Sequence, residues 1–201
     1  MENGVKLISG ALVTLAIATV SLVVLPYLQL QDVPPTPGLK PYTEVELRGR
    51  QEYIKQGCLY CHSQQPRDPR QAPDDQRGWG RPSVAGDYYY DRPHLLGTMR
   101  TGPDLLNIGA RQSSVDWQLG HLYQPRAYVP GSIMPGYPYL FEIKEAAAPG
   151  DRIVTLPPEF APARGVVVAT QAAEDLVSYL LSLDRTFPAL AAGADSRRAT
   201  N

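Results

Sequence analysis

The stretch Cys58-Leu59-Tyr60-Cys61-His62 decides the fold prediction for this sequence, because it contains both cysteines of the chain and one of its three histidines. Cys-x-x-Cys-His is the spacing of c-type haem attachment. Two thiols add across the two vinyl groups of one porphyrin, and the adjoining imidazole is held beneath the iron as its proximal ligand. The sequence therefore predicts one covalently attached haem c, with Cys58 and Cys61 as attachment residues and His62 as an iron ligand.

Three other roles of a Cys-x-x-Cys pair fit the surrounding sequence less well. A thioredoxin-type redox pair is expected near a βαβ pattern, which the flanking residues do not show. A zinc site needs a fourth ligand, yet His94 and His121 are too far apart in the sequence for a compact histidine pair. A disulfide would leave the domain without a core of adequate size. A large buried cofactor would supply that core.

A second iron ligand is sought among the methionines, because a haem iron that transfers electrons is normally six-coordinate. Met134 lies within residues 131–138, where proline and glycine exclude a helix and favour a rigid loop. We predict that Met134 binds the iron opposite His62, which would raise its reduction potential. Met99 is the alternative ligand and otherwise packs near the haem.

The segment from Arg100 to Leu105 contains further candidates for the cofactor site. Pro103 offers a carbonyl group that is suited to accept a hydrogen bond from Nδ1 of His62 and so hold the ring's orientation; an ordinary turn is the alternative. Arg100 and Arg111 are candidates to pair with haem propionates, because a guanidinium matches a carboxylate in a bidentate fork, although solvent exposure accounts for them equally well. No role is assigned to the other histidines or to three consecutive tyrosines: His94, His121, Tyr88, Tyr89 and Tyr90.

Residues 1–31 are predicted to form a membrane anchor. No charged residue lies between Lys6 and Asp32, and residues 7–30 would reach roughly 36 Å as a helix, enough to cross a hydrocarbon core of about 30 Å. A cleaved signal peptide is the alternative, but its apolar run would be shorter and a small-x-small site would follow it. Lys6 places the amino terminus in the cytoplasm by the positive-inside rule, with the remaining chain on the outer side.

Beyond the anchor, the chain is predicted to contain a linker, one domain and a tail. Proline restricts the backbone of residues 32–42, which therefore read as a semi-rigid, extended linker. The domain covers residues 43–187, and residues 188–201 read as a flexible tail. Within the domain, residues 64–98 predict a long structured loop, and residues 142–170 look extended or irregular.

Helices are predicted at three places in the domain. The first runs from about residue 43 to 57, with Thr43 and Glu46 as a capping box and with Leu47 and Ile54 on one face. The others cover about residues 114–122 and 171–183. The last carries an apolar stripe at helical spacing: Leu176, Tyr179, Leu180 and Leu183.

The charge of the chain argues against nucleic-acid binding. Its 19 Lys and Arg and 20 Asp and Glu leave a formal net charge of −1, whereas phosphate neutralisation needs a clear basic excess on some face.

Besides the anchor, the chain contains, in this order, Glu46 to Arg50, Tyr53-Ile54, Gly57 to Gln64, Tyr90 to Pro93, Arg100 to Leu105, His121 to Arg126 and Ser132 to Pro135. In this order and combination, the segments resemble the membrane-anchored mono-haem cytochrome c subunit (subunit II) of cbb3-type cytochrome c oxidases. The resemblance implies a mostly α protein, in which a single N-terminal transmembrane helix precedes a loop-rich class I cytochrome c domain. It also implies His62 and Met134 as axial ligands.

The resemblance implies an electron relay that is not an enzyme on its own. It would lie in the bacterial inner membrane with its haem domain on the periplasmic side. It would pass electrons from a donor, either another cytochrome c subunit or a soluble cytochrome, toward a haem-copper catalytic subunit that reduces oxygen. The alternatives are a subunit of a nitric oxide reductase or another divergent haem-copper complex, a free membrane-tethered carrier, and a haem enzyme or gas sensor with an open iron site.

Overall fold

The computed structural model describes residues 2–97 and 99–189. The described residues form two compact units, one of residues 2–37 with 84–89, and one of residues 38–83 with 90–188. The predicted fold class is confirmed, because the chain is mostly helical, begins with an apolar helix and continues into a loop-rich region with few strands. Most of the predicted tail, from residue 190 onward, lies outside the described residues.

The first helix, α1, covers Glu2–Leu30 and is long and apolar enough to cross a bilayer. None of its described residues is buried. A π turn at Val20–Val24 interrupts it, and the N–H of Leu25 donates to the carbonyl of Val20, five residues back. Pro26 follows directly and has no N–H for an α-helical bond, so the altered hydrogen bonding lies where proline disturbs the helix.

The proline-rich segment after α1 packs within the same unit. The N–H of Thr36 donates to the carbonyl of Gly86 at 3.1 Å, and Thr36 itself is buried. A Cβ on Gly86 would lie 2.7 Å from the carbonyl oxygen of Pro34, so the two backbones touch. Part of the predicted linker is thus held by a short 3-10 turn at Ala85–Tyr88.

The helix α2 covers Glu44–Lys55 and begins at the predicted capping box. The N–H of Thr43 donates to Glu46 Oε2 at 2.6 Å, and the N–H of Glu46 donates to Thr43 Oγ1 at 3.3 Å. The prediction that Leu47 and Ile54 mark the buried face of α2 is wrong, since their side chains are 45% and 38% exposed. The buried face instead contains Gly49, Arg50 and Tyr53, because a glycine there lets another helix approach the backbone.

Two short helices and a sheet lie between α2 and the last helix. The helices are α3 (Ile108–Arg111) and α4 (Val115–Tyr123), and Ser114 caps α4 by accepting a hydrogen bond from the N–H of Trp117. The sheet pairs β1 (Phe141–Lys144) with β2 (Val166–Ala169) in antiparallel register, Phe141 opposite Ala169. These strands occupy part of the segment that the sequence predicts to be extended.

The last helix, α5 (Gln171–Ser182), packs closely against α2. The backbone of Gly49 lies against the carbonyl of Asp175, and the rings of Tyr53 and Tyr179 meet edge to face with centroids 5.5 Å apart. The predicted stripe is confirmed as buried, including Tyr179 and Leu183 at 0% exposure. The crossing of α2 and α5 therefore forms much of the core that surrounds the candidate site.

Candidate functional site

The haem motif follows α2 through a sharp change of backbone direction. Gly57 adopts φ +72°, which L side chains rarely do, and it leads directly into a 3-10 turn at Cys58–Tyr60. The N–H of His62 donates to the carbonyl of Cys58 at 2.9 Å. The turn thus fixes both cysteines and the histidine relative to one another within five residues.

The two cysteines are free thiols in different environments. Cys58 is buried and Cys61 is exposed. Burial is the main reason why the pKa of Cys58 rises to about 11. The disulfide that the sequence left open is therefore not formed, and one thiol faces the core while the other faces the surface.

His62 is oriented by a carbonyl group. Its Nδ1 lies 2.7 Å from the carbonyl oxygen of Pro103, the contact that the sequence predicts. Because a carbonyl only accepts, Nδ1 donates the hydrogen and Nε2 keeps its lone pair. Burial lowers the pKa of His62 and the bond to Pro103 opposes that effect, so the neutral ring is the form that this environment favours. A neutral imidazole with a free Nε2 lone pair is the form that binds a metal.

The backbone of Gly102 makes room for this ring. A Cβ on Gly102 would lie 2.8 Å from His62 Nδ1 and 3.0 Å from Nε2, both closer than normal contact. The N–H of Gly102 also donates to the carbonyl of Cys61 at 2.8 Å. Gly102 therefore seats the imidazole against the segment that orients it.

Met134 reaches the same core as the first cysteine. It is half-buried and packs against the hydrophobic cluster that includes Cys58, and its N–H donates to Ser132 Oγ at 3.2 Å. Met99, the alternative ligand, is 65% exposed. Met134 thus packs against the core that includes Cys58, whereas Met99 lies on the surface, and the role of Met134 as an iron ligand stays a prediction.

The two arginines that the sequence assigns to propionates lie in different surroundings. Nε of Arg100 donates to Ser63 Oγ at 2.8 Å and Nη1 donates to Asp74 Oδ1 at 2.8 Å. Arg111 donates from Nη2 to the backbone carbonyl of Asp104, and burial lowers its pKa. Pairing of either residue with a propionate stays a prediction, and the guanidinium of Arg100 already has protein acceptors.

The remaining candidates divide into surface and buried residues. His94 is exposed, whereas the ring of His121 stacks on Trp117 with centroids 4.5 Å apart. Nδ1 of His121 is buried and has no hydrogen-bond partner among the described residues. Burial, and then the charge of His62, lower the pKa of His121 to about 4. Among the three tyrosines, Tyr88 is buried and Tyr89 is exposed.

The described side chains fit a c-type haem better than a protein-ligated metal ion. In residues 2–97 and 99–189, no group of three His, Cys, Asp or Glu side chains could hold a metal. The two free thiols, the neutral imidazole and the core-facing thioether instead match the donor set of one haem. The buried Nδ1 of His121 supplies a further polar atom that a bound group could satisfy.

A comparison with models of known protein families shows which family this chain belongs to. The family model for FixO, the mono-haem subunit of cytochrome c oxidase, matches residues 1–154. The chain belongs to the FixO family. No match to a curated protein was found.

The family match spans the anchor helix, the haem motif, the Pro103 segment and Met134. Helix α5, which packs on the matched helix α2, lies beyond it. FixO proteins are mono-haem subunits of a cytochrome c oxidase, so membership implies one haem and a catalytic partner. The single Cys-x-x-Cys-His motif of this chain agrees with that number.

Ser63, Asp74 and Asp104 are the site residues that sequence reasoning missed. All three are completely buried. Ser63 follows His62 and Asp104 follows Pro103, and both lie in segments that carry the family resemblance, but the sequence analysis assigned neither of them a role. Asp74 had no sequence signal, because only the folding of the loop that contains it brings its carboxylate to Arg100.

Proposed function

We propose that this FixO-family chain is the membrane-anchored electron-transfer subunit of a cbb3-type oxidase. The observation that carries the proposal is the geometry of His62, whose Nδ1 is engaged by Pro103 so that Nε2 is available to iron, within a Cys-x-x-Cys-His motif. A haem bound there supplies a centre that takes up and releases one electron.

The chain's own residues would hold that haem in four ways. Cys58 and Cys61 would form its thioether links, and His62 and Met134 would be its two iron ligands. Pro103 would fix the orientation of the imidazole through its carbonyl. An iron held by both His62 and Met134 would leave no ligand position for oxygen or peroxide, which suits electron transfer rather than catalysis. Arg111 is our candidate for a propionate contact.

The anchor determines where this transfer would occur. We place residues 1–31 in the bacterial inner membrane with the amino terminus in the cytoplasm, and residues 43–187 as the haem domain on the periplasmic side. Residues 32–42 would link the two. In that arrangement the domain would receive electrons from another cytochrome c subunit or a soluble donor cytochrome and deliver them to the haem-copper subunit.

The cofactor part of the proposal is tested by mass spectrometry of the mature full-length chain. We expect the mass of one haem in addition to the polypeptide, retained after denaturation. The double variant Cys58→Ala with Cys61→Ala serves as the control and is expected to lose it. A wild-type chain without the added mass overturns the proposal.

The partner part is tested by purifying the full chain from native membranes in mild detergent. We expect a haem-copper subunit to accompany it and the preparation to reduce oxygen with electrons from reduced cytochrome c. Purification of the chain alone would instead indicate a free tethered carrier. A partner complex that reduces nitric oxide and not oxygen would assign the chain to a different haem-copper enzyme.

A further inference from the structure

The segment after the haem motif runs beside the segment that contains Pro103. Hydrogen bonds join the two segments, residues 61–65 and 102–105, along their whole length. The first two run from the N–H of Gly102 to the carbonyl of Cys61 and from Nδ1 of His62 to the carbonyl of Pro103. The N–H of Leu105 then donates to the carbonyl of Ser63 at 2.8 Å. The contact that orients His62 is therefore one member of a longer ladder.

The next member of the ladder is a buried side-chain pair. Ser63 Oγ donates to Asp104 Oδ2 at 2.6 Å, one residue beyond the contact between His62 and Pro103 on each segment. The N–H of Gln65 donates to the same oxygen at 2.6 Å. Ser63 and Asp104 are both 0% exposed, so no solvent competes for these bonds. We call Ser63 and Asp104 the clamp.

Arg100 lies against the clamp, and each of its three guanidinium nitrogens donates to a protein acceptor. Its Nε donates to Ser63 Oγ, its Nη1 to Asp74 Oδ1, and its Nη2 to the carbonyl of Gln65 at 2.7 Å. Its Nη2 also lies 3.6 Å from Asp104 Oδ2. A planar guanidinium can satisfy acceptors on several sides at once, which a lysine ammonium cannot do in the same geometry.

The charges of this cluster explain why Arg100 is needed there. Asp74 and Asp104 are fully buried carboxylates, and a buried charge is costly unless it is paired and hydrogen-bonded. Arg100 forms an ion pair with Asp74 at 2.7 Å and lies within 4 Å of Asp104. The guanidinium thus compensates two buried carboxylates, one of which, Asp104, directly follows the residue whose carbonyl orients His62.

From these contacts we infer that Ser63 and Asp104, braced by Arg100, position the His62 imidazole on the Pro103 carbonyl, so that Arg100 acts on the proximal ligand and not on a propionate. Each clamp residue directly follows one partner of the contact between His62 and Pro103, so a shift at the clamp moves that contact. The inference rests on the proposed function, because it concerns how strongly His62 donates to iron.

The direction of the expected effect follows from the hydrogen bond. A strong Nδ1–H···O bond makes the imidazole a better donor, which favours ferric iron. Loosening the clamp weakens that bond and therefore raises the reduction potential. Ser63→Ala and Arg100→Lys leave the formal charge unchanged, so a change in potential cannot come from a lost or gained charge.

The experiment compares full-length wild type with Ser63→Ala and Arg100→Lys, each carrying haem. We expect both variants to shift the largest g value in the electron paramagnetic resonance spectrum of the oxidised haem, which reports ligand orientation. At a fixed applied potential, the ratio of reduced to oxidised haem should rise about threefold, equivalent to about 28 mV for a one-electron couple. Arg70→Lys is the matched control, since Arg70 pairs with Asp68 on the surface and should change neither quantity.

Several results would overturn the inference. If Ser63→Ala and Arg100→Lys both retain the wild-type g value and reduction potential, the clamp does not position His62. A propionate contact of Arg100 would instead be indicated if Arg100→Lys changes only the pH dependence of the potential while Ser63→Ala changes neither the g value nor the potential. That result also overturns the inference. If Arg100→Lys fails to retain haem, Ser63→Ala alone decides between these results. Failure of the proposed function is distinguishable, because it shows in the wild-type chain as missing covalent haem or a missing partner.

Discussion

The imidazole of His62 lies directly against the backbone of Gly102, so closely that a Cβ at position 102 would come within 2.8 Å of Nδ1. The ring is therefore confined on one side by a backbone that has no side chain and oriented by the neighbouring carbonyl of Pro103. Such confinement keeps a ligand in place before a metal is bound, which reduces the cost of ordering it.

Gly102→Ala is expected to displace the His62 ring. The added methyl group has no space, and overpacking of this kind costs about 1–3 kcal/mol. We expect a lower haem content, or an altered electron paramagnetic resonance spectrum of the oxidised haem, measured on the purified full chain. Gly10→Ala in α1 is the control, because its Cβ would meet nothing within 4 Å. Equal spectra and haem content in both variants would contradict the prediction.

Met134→Ala is expected to open one face of the iron. The reduced haem should then bind carbon monoxide without denaturation, and its reduction potential should fall because a thioether ligand favours ferrous iron. The measurement is the visible spectrum with and without carbon monoxide. Met99→Ala is the matched control, since Met99 is 65% exposed. Carbon monoxide binding by Met99→Ala and not by Met134→Ala would assign the ligand to Met99.

Gly49→Ala is expected to destabilise the crossing of α2 and α5. The new Cβ would strike the carbonyl oxygen of Asp175 and lie 2.8 Å from Tyr179 Cβ, and neither atom can move without shifting a helix. We expect the free energy of unfolding to fall by about 1–3 kcal/mol, measured by denaturant titration of the full chain in detergent. Gly131→Ala serves as the comparison for stability, because its Cβ would meet nothing within 4 Å. A stability unchanged from wild type would show that the helices separate without cost.

Asp175 is expected to stabilise the fold in a pH-dependent manner. Its carboxylate accepts hydrogen bonds from Arg48 Nε at 2.6 Å and from Gln171 Nε2 at 2.9 Å. The bond from Arg48 is the main reason why the pKa of Asp175 lies below its usual value. A lowered pKa in the folded state means that the stabilisation is complete above the unfolded pKa of about 3.9, and is lost as the pH falls through the folded value.

Asp175→Asn should therefore lower the free energy of unfolding by about 1 kcal/mol at pH 7 and by less near pH 3. Denaturant titrations at both pH values measure this difference. In an Arg48→Gln background the effect of Asp175→Asn should shrink, because the partner is gone. The same loss at pH 3 and pH 7 would argue that the charge of Asp175 does not matter.

The haem motif and the helices could be predicted because their signals are local. Cys58, Cys61 and His62 are contiguous, and the capping box at Thr43 and the stripe around Tyr179 follow helical spacing. The buried face of α2 could not be predicted in the same way. Leu47 and Ile54 had the right period, but the approach of α5 at Gly49 decided which side is covered.

The surroundings of the candidate site also needed the tertiary structure. Arg100 looked suited to a propionate, yet its three guanidinium nitrogens donate to Ser63, Asp74 and Gln65. Ser63 and Asp104 are 41 residues apart, and Asp74 and Arg100 are 26 residues apart. No local pattern indicates which side chains meet over such separations.

By itself, the sequence determined the apolar helix that could span a membrane, the spacing of two thiols and an imidazole, and the family to which the chain belongs. Only the folded chain decided what surrounds that imidazole: the bare backbone of Gly102, the carbonyl of Pro103 and the buried cluster around Asp104. The physical reason is that reactive groups are set by covalent neighbours, whereas burial and hydrogen-bond partners depend on residues that packing brings together from distant parts of the chain.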